Sequence, residues 1–203
     1  MKESSALAIS AFFNSVKEEI NPYIDSLCPE MYDAAVSLIS KCRERGGRLH
    51  VTGIGKPGHV ATYIASLISS TGTPCYFLHG TEAVHGSCGQ LVADDVVIVI
   101  SNSGETAEMK STVRAIKNNH CSIIGVSGNG NSWLAKESDI HLLAGVGNEG
   151  GPLNRAPRNS VLAETLTLQA LSVALQSECG QDPVSYIRCH PGGSLGSLRE
   201  SEK

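Results

Sequence analysis

No hydrophobic run in the chain approaches the roughly 18 residues that a membrane-spanning helix needs, so a helical integral membrane protein is not expected. A surplus of positive charge is also missing: 16 Lys and Arg stand against 20 Asp and Glu, a net charge of −4. Without a basic field nothing holds a polyanion, and nucleic acid is not an expected partner. C-x-x-C pairs are absent. The seven cysteines, Cys28, Cys42, Cys75, Cys88, Cys121, Cys179 and Cys189, are odd in number and irregularly spaced, which argues against a disulfide framework or a zinc ribbon. The amino terminus places Lys2, Glu3, Lys17, Glu18 and Glu19 around a short apolar stretch, unlike a secretory leader. Reduced thiols without an export signal set the expectation of a cytoplasmic protein. No repeat or low-complexity tract appears, and the 21 Gly and 8 Pro follow no period. The remaining class is an ordinary globular one, and 203 residues at 41% hydrophobic content are enough to form a core without a staple.

Periodicity organises what is present. Apolar residues recur at helical spacing from Ser4 to Cys28 and from Pro29 to Arg45, where Gly46-Gly47 supplies a stop. Short β-rich runs then follow at Leu49–Thr52, Cys75–Leu78, Val96–Ile100, Ser122–Val126 and Ile140–Leu143, alternating with helical patterns. That alternation predicts an α/β fold, a three-layer doubly wound five-stranded parallel sheet with two N-terminal helices. The run Val96–Ile100 is apolar at every position and belongs mid-sheet. Two further helices are expected, from about Ser160 to Glu178 and from Pro183 to Cys189, with nothing structured after Gly196. The chain reads as one domain: lead-in helices over 1–45, sheet core and C-terminal helices over 46–196, and a tail over 197–203.

In open parallel sheets, ligands bind beyond the carboxyl ends of the strands. The first loop there, Gly53-Ile54-Gly55-Lys56-Pro57-Gly58-His59, formally matches a dinucleotide fingerprint. The second strand, however, ends Phe77-Leu78-His79 instead of in the acid that would hold a ribose, which argues against a nicotinamide cofactor; no cofactor is expected. The glycines still allow an anion to approach the backbone, and Lys56 adds a cation beside it. After the third strand comes Ser101-Asn102-Ser103-Gly104-Glu105-Thr106-Ala107-Glu108. Helix capping explains one hydroxyl and the acids, but a phosphate site at a helix N-terminus uses all three hydroxyls. His79 and His85 stand six apart in an acidic loop that matches no standard metal motif. Glu149 follows the last strand at the same edge, and His190 precedes Pro191-Gly192-Gly193.

Taken in order, Gly-x-Gly-Lys-x-Gly-His, Ser-Thr-Gly-Thr-Pro, His-Gly, Ser-Asn-Ser-Gly-Glu, Pro-Leu-x-x-Ala-Pro and His-Pro-Gly-Gly resemble the SIS sugar-phosphate isomerases, and within them the D-arabinose 5-phosphate isomerase family. The resemblance runs from about Gly46 to Gly196 and implies a flavodoxin-like SIS fold. It also implies an aldose–ketose isomerase that interconverts D-arabinose 5-phosphate and D-ribulose 5-phosphate through an enediol, supplying the Kdo of lipopolysaccharide and capsules. By the same resemblance, Lys56, Glu108, Glu149 and His190 are catalytic. Gly72, Thr73, His85, Ser101, Ser103 and Thr106 contact substrate, and His79 matches a position where an inhibitory zinc binds in some members. A homotetramer is expected, partly from the family and partly because two amphipathic N-terminal helices need a surface to cover; His190 would then complete a neighbour's site. Which glutamate takes the proton stays open, with Glu149 the first choice. Pro57 replaces a common Ser, Arg158-Asn159 replaces small hydroxyl residues, and the sequence ends without the CBS pair of longer relatives, so control through such domains is not expected. The alternatives are a noncatalytic SIS sugar-phosphate sensor and an isomerase of another phosphosugar, such as a heptose phosphate.

Overall fold

The short β-rich runs form five parallel strands in the computed structural model, which describes residues 1–202. They are β1 (Leu49–Gly53), β2 (Cys75–His79), β3 (Val96–Ile100), β4 (Ser122–Ser127) and β5 (Ile140–Leu143), in the order β2-β1-β3-β4-β5. This is the flavodoxin-like order. All five residues of the central strand β3 are buried, as its unbroken apolar run requires.

Because strand side chains alternate, β3 feeds two cores. Val96, Ile98 and Ile100 face the layer built by α1 (Glu3–Ser26), α2 (Asp33–Glu44), α3 (Lys56–Ser70) and α6 (Asn159–Glu178). Val97 and Val99 face α4 (Ala107–Asn118) and α5 (Trp133–Glu137). The expected three layers are therefore present. A last helix, α7 (Pro183–Cys189), packs beside α3. No helix among the described residues is long and apolar enough to cross a membrane.

Two local expectations need correction. The second helical stretch does not begin at Pro29: a 3₁₀ turn over Pro29–Tyr32 precedes α2, with Pro29, which lacks an amide hydrogen, at its first position. The segment after Gly196 is not without structure either. Glu200–Glu202 form a 3₁₀ turn, and the Glu202 carboxylate accepts a 2.8 Å hydrogen bond from the Arg199 amide.

The two edges of the sheet are built differently. At the amino edge the buried carboxylate of Asp95 accepts hydrogen bonds from the amides of Arg48 (2.7 Å) and Val92 (3.0 Å), from the Arg48 guanidinium (3.2 Å) and from His50 Nε2 (3.1 Å). Burial lowers the affinity of His50 for a second proton, so its neutral ring donates to Asp95. This knot fastens the starts of β1 and β3. At the carboxyl edge the chain leaves β1 toward one face and β3 toward the other, so a crevice opens between them.

Candidate active site

The crevice is assembled from two turns and two helices. Its lining comprises Ile54 and Pro57 after β1, Ile100 at the end of β3, Ser101, Asn102, Ser103 and Thr106 after it, Met109 from α4, Pro157 before α6, and Ser160, Val161 and Glu164 from the first turns of α6. Its volume of about 230 Å³ falls below the ~300–1,000 Å³ of drug-sized ligand sites, which suits one small molecule and not a dinucleotide.

The β1–α3 turn is tight because its glycines touch. A Cβ on Gly53 would lie 2.6 Å from the Pro57 carbonyl, and one on Gly58 would lie 2.8 Å from the Gly53 oxygen. Gly55 takes φ +68° at the cap of α3, and the next residue, Lys56, projects exposed from the helix start. The β3–α4 turn keeps its hydroxyls available for a ligand. Thr106 occupies the N-cap position of α4 without a side-chain cap bond, and the Ser103 hydroxyl accepts from the Glu105 amide at 3.2 Å. Glu105 turns away, accepting from Lys110 at 2.6 Å and from the Trp133 amide at 2.7 Å. The Lys110 contact leads in holding its carboxyl below the usual range. Glu108 is exposed in the first turn of α4.

Glu149 is fixed at the head of α6, where its carboxylate accepts from the amides of Arg158 (2.6 Å) and Ser160 (3.1 Å). These are helix-terminal N–H groups with no partner inside the helix. Its loop is buttressed by α1: Glu19 accepts from the Gly147 amide at 2.7 Å, and Asn159 donates to Ser15 at 3.0 Å and to the Asn148 carbonyl at 2.9 Å. The Asn159 departure from a small hydroxyl residue thus docks the glutamate loop against the N-terminal helix.

On neighbouring β2, His79 ends the strand and its Nδ1 accepts from the Glu82 amide at 3.3 Å, while His85 is exposed on the following 3₁₀ turn. No three His, Cys, Asp or Glu side chains among the described residues come together to hold a metal ion, and His79 gains no companion ligand.

Not every expected residue reaches this edge. Gly72 and Thr73 precede β2, at the amino edge, where Gly72 and Cys189 line a separate cleft with Arg43 and Gln181. His190 follows directly, stacked on Tyr186 at 4.9 Å with its Nδ1 buried and unpartnered. Within one chain His190 therefore follows a cleft at the amino edge, whereas Lys56 begins α3 at the carboxyl edge.

Glu164 was not anticipated from sequence. It is fully buried, at 0% exposure, and neither carboxylate oxygen has a hydrogen-bond partner. Burial, with a smaller contribution from the charge of Glu149, pushes its carboxyl up to about 8. A signal did exist: Ser160, Ala163, Glu164, Thr167, Leu168 and Leu171 form the buried stripe of α6, and Glu164 is the one acid on it.

The chain matches known proteins across this same core. A family model described as the SIS domain matches residues 43–174. The arabinose 5-phosphate isomerase KdsD of Pseudomonas aeruginosa is 40% identical over 173 residues, 85% of this chain and 53% of the relative. An Escherichia coli protein solved in complex with arabinose 5-phosphate is 30% identical with a TM-score of 0.81, covering 94% of this chain and 100% of that one. A putative phosphosugar isomerase involved in capsule formation from Bacteroides fragilis is 32% identical with a TM-score of 0.80, covering 94% and 97%. The chain spans about half the length of the curated relatives it matches. With the family model covering both loops of the crevice and most of α6, the chain belongs to the SIS domain family.

Proposed function

We propose that the chain is an aldose–ketose isomerase that interconverts D-arabinose 5-phosphate and D-ribulose 5-phosphate through an enediol. The observation that carries this reading is the crevice at the β1/β3 switch point, which Ser101, Ser103 and Thr106 line together with the first turns of α6, whose head holds Glu149. The names of the curated relatives and the bound sugar of the Escherichia coli neighbour support the substrate.

The phosphate binds Ser101, Ser103 and Thr106, where hydroxyls and α4 amides favour an anion without adding charge. Anchoring the unreactive end lets its binding energy position the reacting carbons. Glu149 removes the C2 proton of the aldose and returns it to C1, while a second group, His190 or His85, carries the proton between the two oxygens and opens the ring. Lys56 stabilises the oxygen that becomes negative in the enediolate, and Glu108 shares the acid–base work. His190 reaches the site from a neighbouring subunit of a homotetramer, which also covers the outer face of α1, with Leu7 66% and Phe13 58% exposed. The seven thiols are free, in keeping with a reducing cytoplasm.

NMR of the purified chain with D-arabinose 5-phosphate in deuterated water tests the reading. Deuterium at C1 of the ribulose product is expected. Binding without turnover would make the chain a sensor, and turnover of a heptose phosphate alone would remove the substrate and keep the reaction class.

A further inference from the structure

Two buried polar side chains in the crevice have no partner in the protein. Ser160 and Glu164 lie one helical turn apart on α6, both at 0% exposure, and neither the Ser160 hydroxyl nor either Glu164 oxygen makes a hydrogen bond. An unmade bond on a buried polar group costs about 1–3 kcal/mol, so such a pair persists where something else satisfies it. Both residues line the same cavity as Ser101, Ser103 and Thr106.

We propose that Ser160 and protonated Glu164 form a second wall of the phosphate cradle, donating hydrogen bonds to the phosphoryl group from α6. This rests on reading the crevice as a phosphosugar site and goes beyond it, because it assigns a binding role to a carboxylic acid where a carboxylate would repel the ligand. A cradle of hydroxyls, α4 amides and a neutral acid holds an anion by donors alone. The protonation this requires agrees with burial holding the Glu164 carboxyl at about 8, so the acid form dominates at neutral pH. Glu149, at the head of α6, is the ionised group whose field bears on it. The residues facing it from the β1–α3 turn, β3, the β3–α4 turn and α4, namely Ile54, Pro57, Ile100, Ser101, Thr106 and Met109, are uncharged. Lys56 begins α3 next to Pro57 and does not line the cavity.

The consequence is grip that depends on pH. Calorimetric titration of inorganic phosphate into the full chain should show Kd weakening about tenfold between about pH 7 and about pH 9, as the acid ionises. E164Q keeps a neutral donor and should change less than about twofold over the same range. Identical pH dependence in the two chains overturns the proposal. An infrared measurement on the unmodified chain needs no variant: the protonated-carboxyl band should shift when phosphate is added at about pH 7, and a band that stays put overturns it as well. The KM for D-arabinose 5-phosphate, followed in parallel, separates this proposal from the reading it rests on. Phosphate binding with the expected pH difference but no turnover removes the isomerase and leaves the cradle; turnover with no difference between the chains removes the cradle and leaves the isomerase.

Discussion

Glu149 and Glu164 stand 15 residues apart in the chain and differ in their surroundings. Glu149 is held by two helix-terminal amides and is half-buried, so its carboxylate keeps a fixed direction. Replacing it by Gln keeps one acceptor for those amides and removes the proposed base. E149Q should therefore lose turnover by roughly 10²–10⁴-fold while KM changes little, as steady-state kinetics would show. Glu164 behaves oppositely, because burial raises its carboxyl from 4.5 to about 8. The folded chain holds a proton there that the unfolded chain releases near its ordinary value. That contribution to stability is complete below the unfolded value and is lost as pH climbs through the folded one. E164Q carries no such dependence. Urea denaturation should find it more stable than the parent at about pH 9, by up to about 4 kcal/mol, with the advantage vanishing at about pH 4. Equal stabilities at both pH values would mean that Glu164 is not buried as described.

Among the elements, the β1–α3 turn and the amino-edge knot do complementary work. The turn brings the head of α3 against the end of β1, and a methyl group on Gly53 would press on the Pro57 carbonyl at 2.6 Å. G53A should push the helix start, and Lys56 with it, away from the crevice. A fall in kcat/KM of about tenfold or more is expected, together with a lower Tm. At the other edge, Asp95 closes β1 and β3. Burial by itself would raise its carboxyl, but the Val92 and Arg48 amides and the Arg48 charge outweigh that and hold it below the usual range. Its contribution is present above the unfolded value of 3.8 and is lost as pH falls below it. D95A strands the amides of Arg48 and Val92 as well as His50, and should cost roughly 3 kcal/mol by denaturant titration at neutral pH without displacing the crevice loops. Both devices have legible origins in sequence: the glycine pair in the motif, and the apolar strand runs whose first residues the knot fastens. That Asp95 would serve as their common acceptor was not legible, since Arg48 and Asp95 are 47 residues apart.

For the whole molecule, the separation of His190 from Lys56 is the feature with the largest consequence. If each site takes Glu149 from one subunit and His190 from another, then E149Q and H190A chains, each inactive alone, should regain about one quarter of the normal activity when refolded together in equal amounts. Light scattering should return a tetramer in the same preparation; a monomer with full activity would remove the shared site. The sequence by itself determined the strands and helices, their parallel alternation, the hydroxyl turn at Ser101–Thr106 and the loop carrying Lys56, because these follow from side-chain period and turn chemistry within a few residues of chain. Only the tertiary structure decided that Gly72, Thr73 and His190 lie at the far edge of the sheet, that α1 braces the Glu149 loop through Glu19 and Ser15, and that buried Glu164 lines the same cavity as the serine turn. Those outcomes depend on which distant segments pack together. The state of a carboxyl is set by the water and charge that packing leaves around it, and one strand of sequence carries no measure of either.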